Sequence, residues 1–347
     1  MPRYKLTIAY DGTHFCGWQK QEPLLGNLVQ SGQSLVDDAA APVASTVRDP
    51  IHTPSSHTRV PPPVPVDMVA EHLDQREGEV GPRVALRTVQ HVVERAARMV
   101  TRERVNLDGA SRTDSGVHAR GQVAAFTCGD GTDEERTGWP ISRGLDRLVR
   151  AMNGKLPEDV VVLEAEVVPE DFDPVRHATS KAYSYTIHNS RERTMWDRQY
   201  VHCVHEPLDV AAMQRAASHL VGTHDFVAFA AANHGRLTTV RTVFACGVRA
   251  VPVDAQAQAW AAPRAVLGLA PEPLSQRVRI DITGSGFLYN MVRIISGTLV
   301  EVGLGRMDAD AIPGIITGKD RRAAGPTLPG RGLCLEWIRY DSLGVGA

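Results

Sequence analysis

The densest group of chemistry-bearing residues is the run GASRTDSGVHARGQV, from Gly109 to Val123. Its glycines, Gly109, Gly116 and Gly121, predict a backbone turning tightly between two strands, and an aspartate on such a loop, Asp114, faces a cleft where it can serve as nucleophile or base. The same residues also suit a plain Asp–Arg turn closed by local hydrogen bonds. Arg112 stands two residues before Asp114. In an extended segment the two side chains point the same way, which would let the guanidinium reach a phosphate near the carboxylate.

A second candidate lies far along the chain. From Phe287 to Val300 the only charged side chain is Arg293, in a stretch that reads as a long helix, apolar nearly all round, starting near Phe287. A buried guanidinium without a partner is costly, so Arg293 must pair with a carboxylate or snorkel to solvent. Tyr183, Tyr185 and Ile187 share one face of a period-2 segment. Two tyrosines so placed are either core or an aromatic platform for a flat ligand.

Other chemistries fail on spacing. The sequence has no G-x-x-x-x-G-K-[ST] phosphate loop, no H-E-x-x-H pair and no G-x-S-x-G elbow, and its thirteen histidines are scattered. Five cysteines lie far apart without a C-x-x-C pair, which argues against a disulfide framework or structural zinc. No metal and no organic cofactor is expected. No apolar stretch approaches the roughly 20 residues of a membrane helix, and the first residues lack the apolar core of a signal peptide, so a soluble cytoplasmic protein is expected.

The elements that must position these residues show in the pattern of the 347-residue chain. Tyr4, Leu6, Ile8 and Tyr10 alternate with polar neighbours as a half-buried strand that Asp11-Gly12 ends. Residues 21–86 then change character, holding nine of the 22 prolines and a charge of −5, so the rest carries +3 against a total of −2. They read as an acidic, loop-like insertion. A helix capped by Thr88 follows, then strands at 104–110 and 121–127, a helix near 141–152 and a strand from Val160. The second half repeats the alphabet: a strand at 181–188, a helix from Asp209 to Val221, strands near 238–250 and 277–283, the Phe287 helix and a last strand from Leu333 to Tyr340. Residues 251–276, rich in Ala and Pro, read as a second insertion. Two α/β halves are expected, 1–168 and 169–347, each a strand-rich sheet with helices on one face. Positive charge is bunched in Arg95, Arg98, Arg102 and Arg104, in Arg143, Arg147 and Arg150, and in Arg191, Arg193 and Arg198. Such bunches are solvated helix faces or phosphate contacts.

Arg112-Thr113-Asp114 followed by Gly116-Val117-His118-Ala119 and Gly121-Gln122 resembles the active-site signature of the tRNA pseudouridine synthase A family. Further matches run in order along most of the chain: Tyr10-Asp11-Gly12 with Phe15 and Gly17-Trp18-Gln19, Val89-Gln90, Asn153, Leu156-Pro157, Asp171-Phe172, Tyr183-Ser184-Tyr185, Gly222 to Phe226, and Phe287 to Gly303. The pattern departs at Phe172-Asp173-Pro174-Val175-Arg176, where the position of a family Arg falls on Val175, with Arg176 one step later.

The resemblance implies an isomerase that converts uridine to pseudouridine at positions 38, 39 and 40 of the tRNA anticodon stem-loop. Asp114 is then the nucleophile and Arg293 its ion-pair partner. Tyr183 is the platform for an extruded uracil, with Arg112 and His118 as further RNA contacts, while the place of His118 in a turn next to Val117 equally suits a hydrogen-bonded structural residue. The carboxylate attacks base or sugar, or takes a ribose proton; the residues do not choose among these routes. The implied fold is α/β, two ferredoxin-like halves whose mostly antiparallel sheets join into one, with RNA in a central cleft and a homodimer as the working form. Two rivals from other classes are a non-catalytic tRNA-binding or folding protein on the same scaffold and a metal-dependent RNA hydrolase.

Overall fold

The computed structural model describes residues 1–21, 35–37, 64–66, 85–132, 137–231, 237–251 and 276–341. Strand β1 (Arg3–Tyr10) buries Tyr4, Leu6, Ile8 and Tyr10 and turns the intervening residues outward, as its alternation predicts. Within the first insertion, β2 (Leu35–Asp37) and β3 (Val64–Val66) form a separate parallel pair. The remaining strands are β4 (Asp108–Gly109), β5 (His118–Thr127), β6 (Val160–Val168), β7 (Ala178–Asn189), β8 (His202–Val204), β9 (Gly222–Asp225), β10 (Val240–Val251), β11 (Gln276–Gly284) and β12 (Leu333–Tyr340). All belong with β1 to one ten-stranded sheet in the order β6-β1-β5-β12-β7-β11-β10-β9, with β4 on β5 and β8 on β7. Pairing in it is antiparallel except for β5–β12 and β7–β8.

The C-terminal strand is the seam. It pairs with β5 through Cys334–His118 and Leu335–Ala119 and with β7 through Leu333–Tyr185 and Leu335–Tyr183. Because β5 begins where the Asp114 loop ends, this register sets the loop beside the segment that leads into β12. A large apolar cluster runs along the sheet, from Tyr4, Leu6 and Phe126 across Tyr185 and Ile280 to Ile295 and Leu335, and a separate small one gathers Ala125, Val168 and Phe172.

Five α-helices occur among the described residues: α1 (Val89–Thr101), α2 (Leu145–Asn153), α3 (Val210–Ser218), α4 (Met291–Gly303) and α5 (Ile312–Gly318). The Thr88 side chain caps α1 by accepting from the His91 amide. Helix α2 is pinned to β6 by Asn153, whose side chain exchanges two hydrogen bonds with the Val162 backbone.

Several expected boundaries move. The strand expected at 104–110 shrinks to β4, because side chains of α1 satisfy its backbone: Arg98 donates to the Val105 carbonyl and Glu94 accepts from the Leu107 amide. The helix expected over 141–152 breaks at Gly144, whose φ of 90° separates a short 3-10 turn from α2. The helix expected from Phe287 starts four residues later, since the Tyr289 carbonyl accepts from Ala231 and Asn290 is left-handed at φ 61°. The helix expected to reach Val221 ends at Ser218, and β8 and β9, each of three or four residues, are too short to leave a pattern.

Both insertions spring from closed stems. The Leu86 amide donates to the Gln21 carbonyl at 3.0 Å, and β10 and β11 remain paired out to Val251–Arg277. Apart from β2, β3, Ala85 and Gln276, what lies between these stems falls outside the described residues.

Candidate active site

The loop from Ala110 to Val117 is fixed by its backbone rather than by its polar tip. Gln122 donates to the Ser111 carbonyl at 2.6 Å, Lys181 to that of Ala110 at 2.6 Å, and the Trp18 amide to that of Thr113 at 3.0 Å. The Thr113 hydroxyl meets the Tyr10 hydroxyl at 2.8 Å, and Ser115 donates to the Phe15 carbonyl at 3.0 Å. Gly116, at φ 75°, takes the left-handed turn that a side chain would resist. Gly330 backs the loop so closely that a Cβ there would sit 2.5 Å from the Ser115 carbonyl oxygen. With Thr113 buried, Arg112 and Asp114 on either side of it are the side chains left facing outward.

Asp114 and Arg293, 179 residues apart, meet at 2.8 Å between Oδ2 and Nη1. The same Nη1 donates to Asn290 Oδ1 at 2.8 Å, and Nε donates to the Leu328 carbonyl at 2.6 Å. Three acceptors thus fix a planar fork that has few other ways to lie. Arg293 sits in the first turn of α4, not in its interior, so the left-handed Asn290 that opens the helix also orients the guanidinium. Asp114 and Arg293 are 25% and 18% exposed, open enough for a ligand and shielded enough for the charges to matter. Asp114 Oδ1 accepts no hydrogen bond among the described residues.

Tyr183 lies against the same loop, its hydroxyl 2.9 Å from Ser111 Oγ and its ring edge-on to Phe287 at 5.3 Å. Burial pushes the phenol up to about 12, the Ser111 hydrogen bond opposes this, and the negative charge of Asp114 adds to it. The ring stays a neutral hydroxyl, and only 7% of the residue is exposed. Tyr185 is fully buried and donates to the Pro329 carbonyl at 2.9 Å, which ties β7 to the segment behind the loop.

His118 is buried among protein partners. The Gly12 amide donates to Nδ1 at 3.0 Å, so Nε2 carries the proton and donates to the Gln199 carbonyl at 2.9 Å. The ring also stacks at 4.9 Å against Tyr200, whose hydroxyl donates to Asp11 Oδ2 at 2.6 Å. Burial alone would raise the Asp11 carboxyl, but hydrogen bonds from Thr13 and Tyr200 outweigh it and hold that carboxyl well below the usual carboxylate range. With both ring nitrogens engaged, His118 holds the exit of the loop and offers no free polar atom to RNA. Arg112 is exposed and makes no hydrogen bond or ion pair among the described residues. Val175 and Arg176 are also exposed, in a turn whose amides bond to Asp173 and whose Pro174 carbonyl accepts from Tyr340. Tyr340 ends the strand that Leu333 begins, which puts this turn roughly 20 Å from the Asp114 loop.

Asn290, Ser111, Phe287 and the Leu328 carbonyl belong to the site and were not marked by sequence reasoning. Asn290 alone carried a usable signal, an Asn three residues before the lone Arg. Among the described residues no group of three or more His, Cys, Asp or Glu could hold a metal ion, and no helix is long and apolar enough to cross a membrane.

Comparison with known proteins places the chain in a family. Residues 216–341 match the sequence profile of a family described as tRNA pseudouridine synthase. The chain is 34% identical to tRNA pseudouridine synthase A of Moorella thermoacetica over 340 residues, 98% of this chain and 100% of that one. It is 40% identical to the protein of the same name from Acetivibrio thermocellus over 254 residues, 73% of this chain and 90% of that one. It is 32% identical to tRNA pseudouridine synthase A 2 of Clostridium perfringens, again over 98% of this chain and 100% of the relative.

Proposed function

The chain belongs to the tRNA pseudouridine synthase A family, and from that premise we propose that it isomerises uridine to pseudouridine at positions 38, 39 and 40 of the anticodon stem-loop, with Asp114 as the reacting group. The observation that carries this reading is the 2.8 Å contact between Asp114 and Arg293 at the mouth of a rigid loop.

A carboxylate that reacts must be ionised and must keep an oxygen free. Arg293 neutralises one side of Asp114 through Oδ2, while Oδ1 is left for the nucleotide. Breaking the glycosidic bond, turning the uracil and rejoining it through C5 all occur on a base outside the helical stack. Extruding that base costs a few kcal/mol, which contacts to the RNA backbone must offset. Arg112 serves as one such contact, standing two residues from the nucleophile with its guanidinium exposed. Tyr183 meets the extruded uracil on the loop side and, as a neutral phenol, adds no charge beside Asp114. His118 acts behind the loop, as a brace. The working form is a homodimer in the cytoplasm, in which a second copy extends the basic surface available to one tRNA.

Tritium release from tRNA carrying 5-tritiated uridine tests the reading. Wild type should release tritium from anticodon-stem uridines without added cofactor, and Asp114→Ala should release none. Release that survives Asp114→Ala would reject the assignment of the nucleophile, and chelator-sensitive RNA cleavage in place of release would reject the reaction class.

A further inference from the structure

The segment between β7 and β8 takes no part in the ion pair or in the catalytic loop, yet it is a built surface. Residues 191–200 expose Met195, Trp196 and Tyr200 at 67%, 63% and 45%, interleaved with the exposed Arg191, Arg193 and Arg198. Its inward side is braced by Asp197. That carboxylate pairs with the buried Arg277 of β11 and accepts from Thr194, while the Asp197 carbonyl accepts from the Tyr200 amide at 2.8 Å. Arg198 donates to the Met195 carbonyl at 2.7 Å across the same turn. The inward acid thus fixes which side chains face out.

The far end of the segment is fastened to the catalytic loop. Gln199 and Tyr200 hold His118 and Asp11 through the contacts described above. His118 is only four residues from Asp114, a chain distance of at most about 14 Å. The exposed arginines and Trp196 therefore belong to a segment whose end is anchored at the exit of the catalytic loop.

We propose that residues 191–200 form an RNA-docking arm. In it Trp196 is a stacking platform for an unpaired base, Arg191, Arg193 and Arg198 hold the phosphates around that base, and Tyr200 latches the arm to the catalytic loop. The proposal deepens the reading of the site as a tRNA-modifying centre and rests on it. Aromatic rings interleaved with guanidinium groups suit single-stranded nucleic acid, because every base offers a face to stack and every phosphate a charge to pair. A partner protein would fit less well: Asp197 is neutralised by Arg277, and Arg191, Arg193 and Arg198 outnumber Glu192, so the segment carries an excess of positive charge.

The test measures tRNA affinity by filter binding at two salt concentrations, together with kcat and KM for tritium release. Trp196→Ala should weaken tRNA binding at least about fivefold, and Trp196→Phe should restore it to within about twofold. Replacing Arg191, Arg193 and Arg198 together by Gln should reduce the slope of log K against log salt by about 2 to 3. Tyr200→Phe keeps the ring and removes the bond to Asp11. It should lower kcat while leaving tRNA affinity unchanged, a split that a merely structural residue would not give. Unchanged affinity in both Trp196→Ala and the triple variant overturns the arm, as does a shift of oligomeric state in Trp196→Ala at constant tRNA affinity. A wild type that releases no tritium, with these affinity changes intact, would instead refute the synthase reading and leave the arm standing.

Discussion

Replacing Arg293 by Ala is the perturbation whose size the structure fixes best. It removes three hydrogen bonds at once, one of 2.6 Å to the Leu328 carbonyl and two of 2.8 Å to Asp114 and Asn290. A hydrogen bond involving a charged group contributes about 1.5–3 kcal/mol, but water replaces part of that at a site still about a fifth open. The expected loss of stability is therefore about 3 kcal/mol, well short of the gross sum, and the protein should remain folded at 25 °C. Catalysis should suffer more. Without the fork Asp114 loses both its counter-charge and its tether, and a displacement of about 1 Å at a reacting group costs on the order of 100-fold. Single-turnover tritium release should fall by about 100- to 1,000-fold, with KM for tRNA within about threefold because Arg112 is untouched. Arg293→Lys keeps the charge but cannot span Leu328, Asn290 and Asp114 together, so it should recover about tenfold of the loss. A folded Arg293→Ala enzyme whose rate stays within about fivefold of wild type would refute the reasoning, since an ion pair so easily dispensed with cannot be holding the proposed nucleophile.

Other outcomes follow from neighbouring features. Tyr183→Phe removes one hydrogen bond, to Ser111, and keeps the ring, so kcat should drop less than about tenfold, whereas Tyr183→Ala should cost far more; equal losses would contradict a role for the ring. His202 is held down to about 4 by burial, with the positive charges of Arg331 and His205 adding to it, and burial first, then Arg277, also lowers His188. Both stay neutral in the fold while the unfolded chain takes up protons near pH 6.5, so stability must fall as pH drops from about 6.5 to 4. His202 alone should cost about 2 kcal/mol between pH 7 and pH 5, read from urea midpoints; an unchanged slope in His202→Gln would exclude it as the source. Joining the closed stem at Gln21 and Leu86 by a short Gly-Ser linker in place of residues 22–84 should leave tritium release within about twofold and the melting temperature within a few degrees, and loss of activity would show that the insertion serves the site.

How far these features were legible in the sequence depends on whether a local pattern recorded them. Strand β1 shows in the strict alternation of Tyr4, Leu6, Ile8 and Tyr10, α1 in its Thr88 cap, and β12 in a run bounded by glycine and aspartate. The meeting of Asp114 and Arg293 leaves a trace because one charge stands alone in an apolar stretch and must be answered from elsewhere. The start of α4 was misread because nothing in Phe287 to Asn290 shows that the Tyr289 carbonyl belongs to Ala231. The structural reading of His118 follows from its place in a turn, but its partners are not legible: the ring is satisfied by Gly12 and by Gln199, 81 residues later, and no spacing rule joins them. The strand expected at 104–110 failed because its backbone is bonded by side chains of a helix, which period-2 counting cannot detect.

The central claim is that a charged oxygen of Asp114, and not the shape of the loop alone, carries the reaction. Asp114→Asn tests it most directly, because the amide keeps the size of the side chain and an oxygen for Arg293 while removing the charge. Pseudouridine would be mapped by nuclease digestion and mass spectrometry of the anticodon stem-loop after incubation with each enzyme, alongside tRNA affinity. Wild type is predicted to modify uridines at positions 38, 39 and 40, and the Asn enzyme to bind the same tRNA and leave every one of them unchanged. Pseudouridine at those positions made by the Asn enzyme at a rate near wild type would contradict the account.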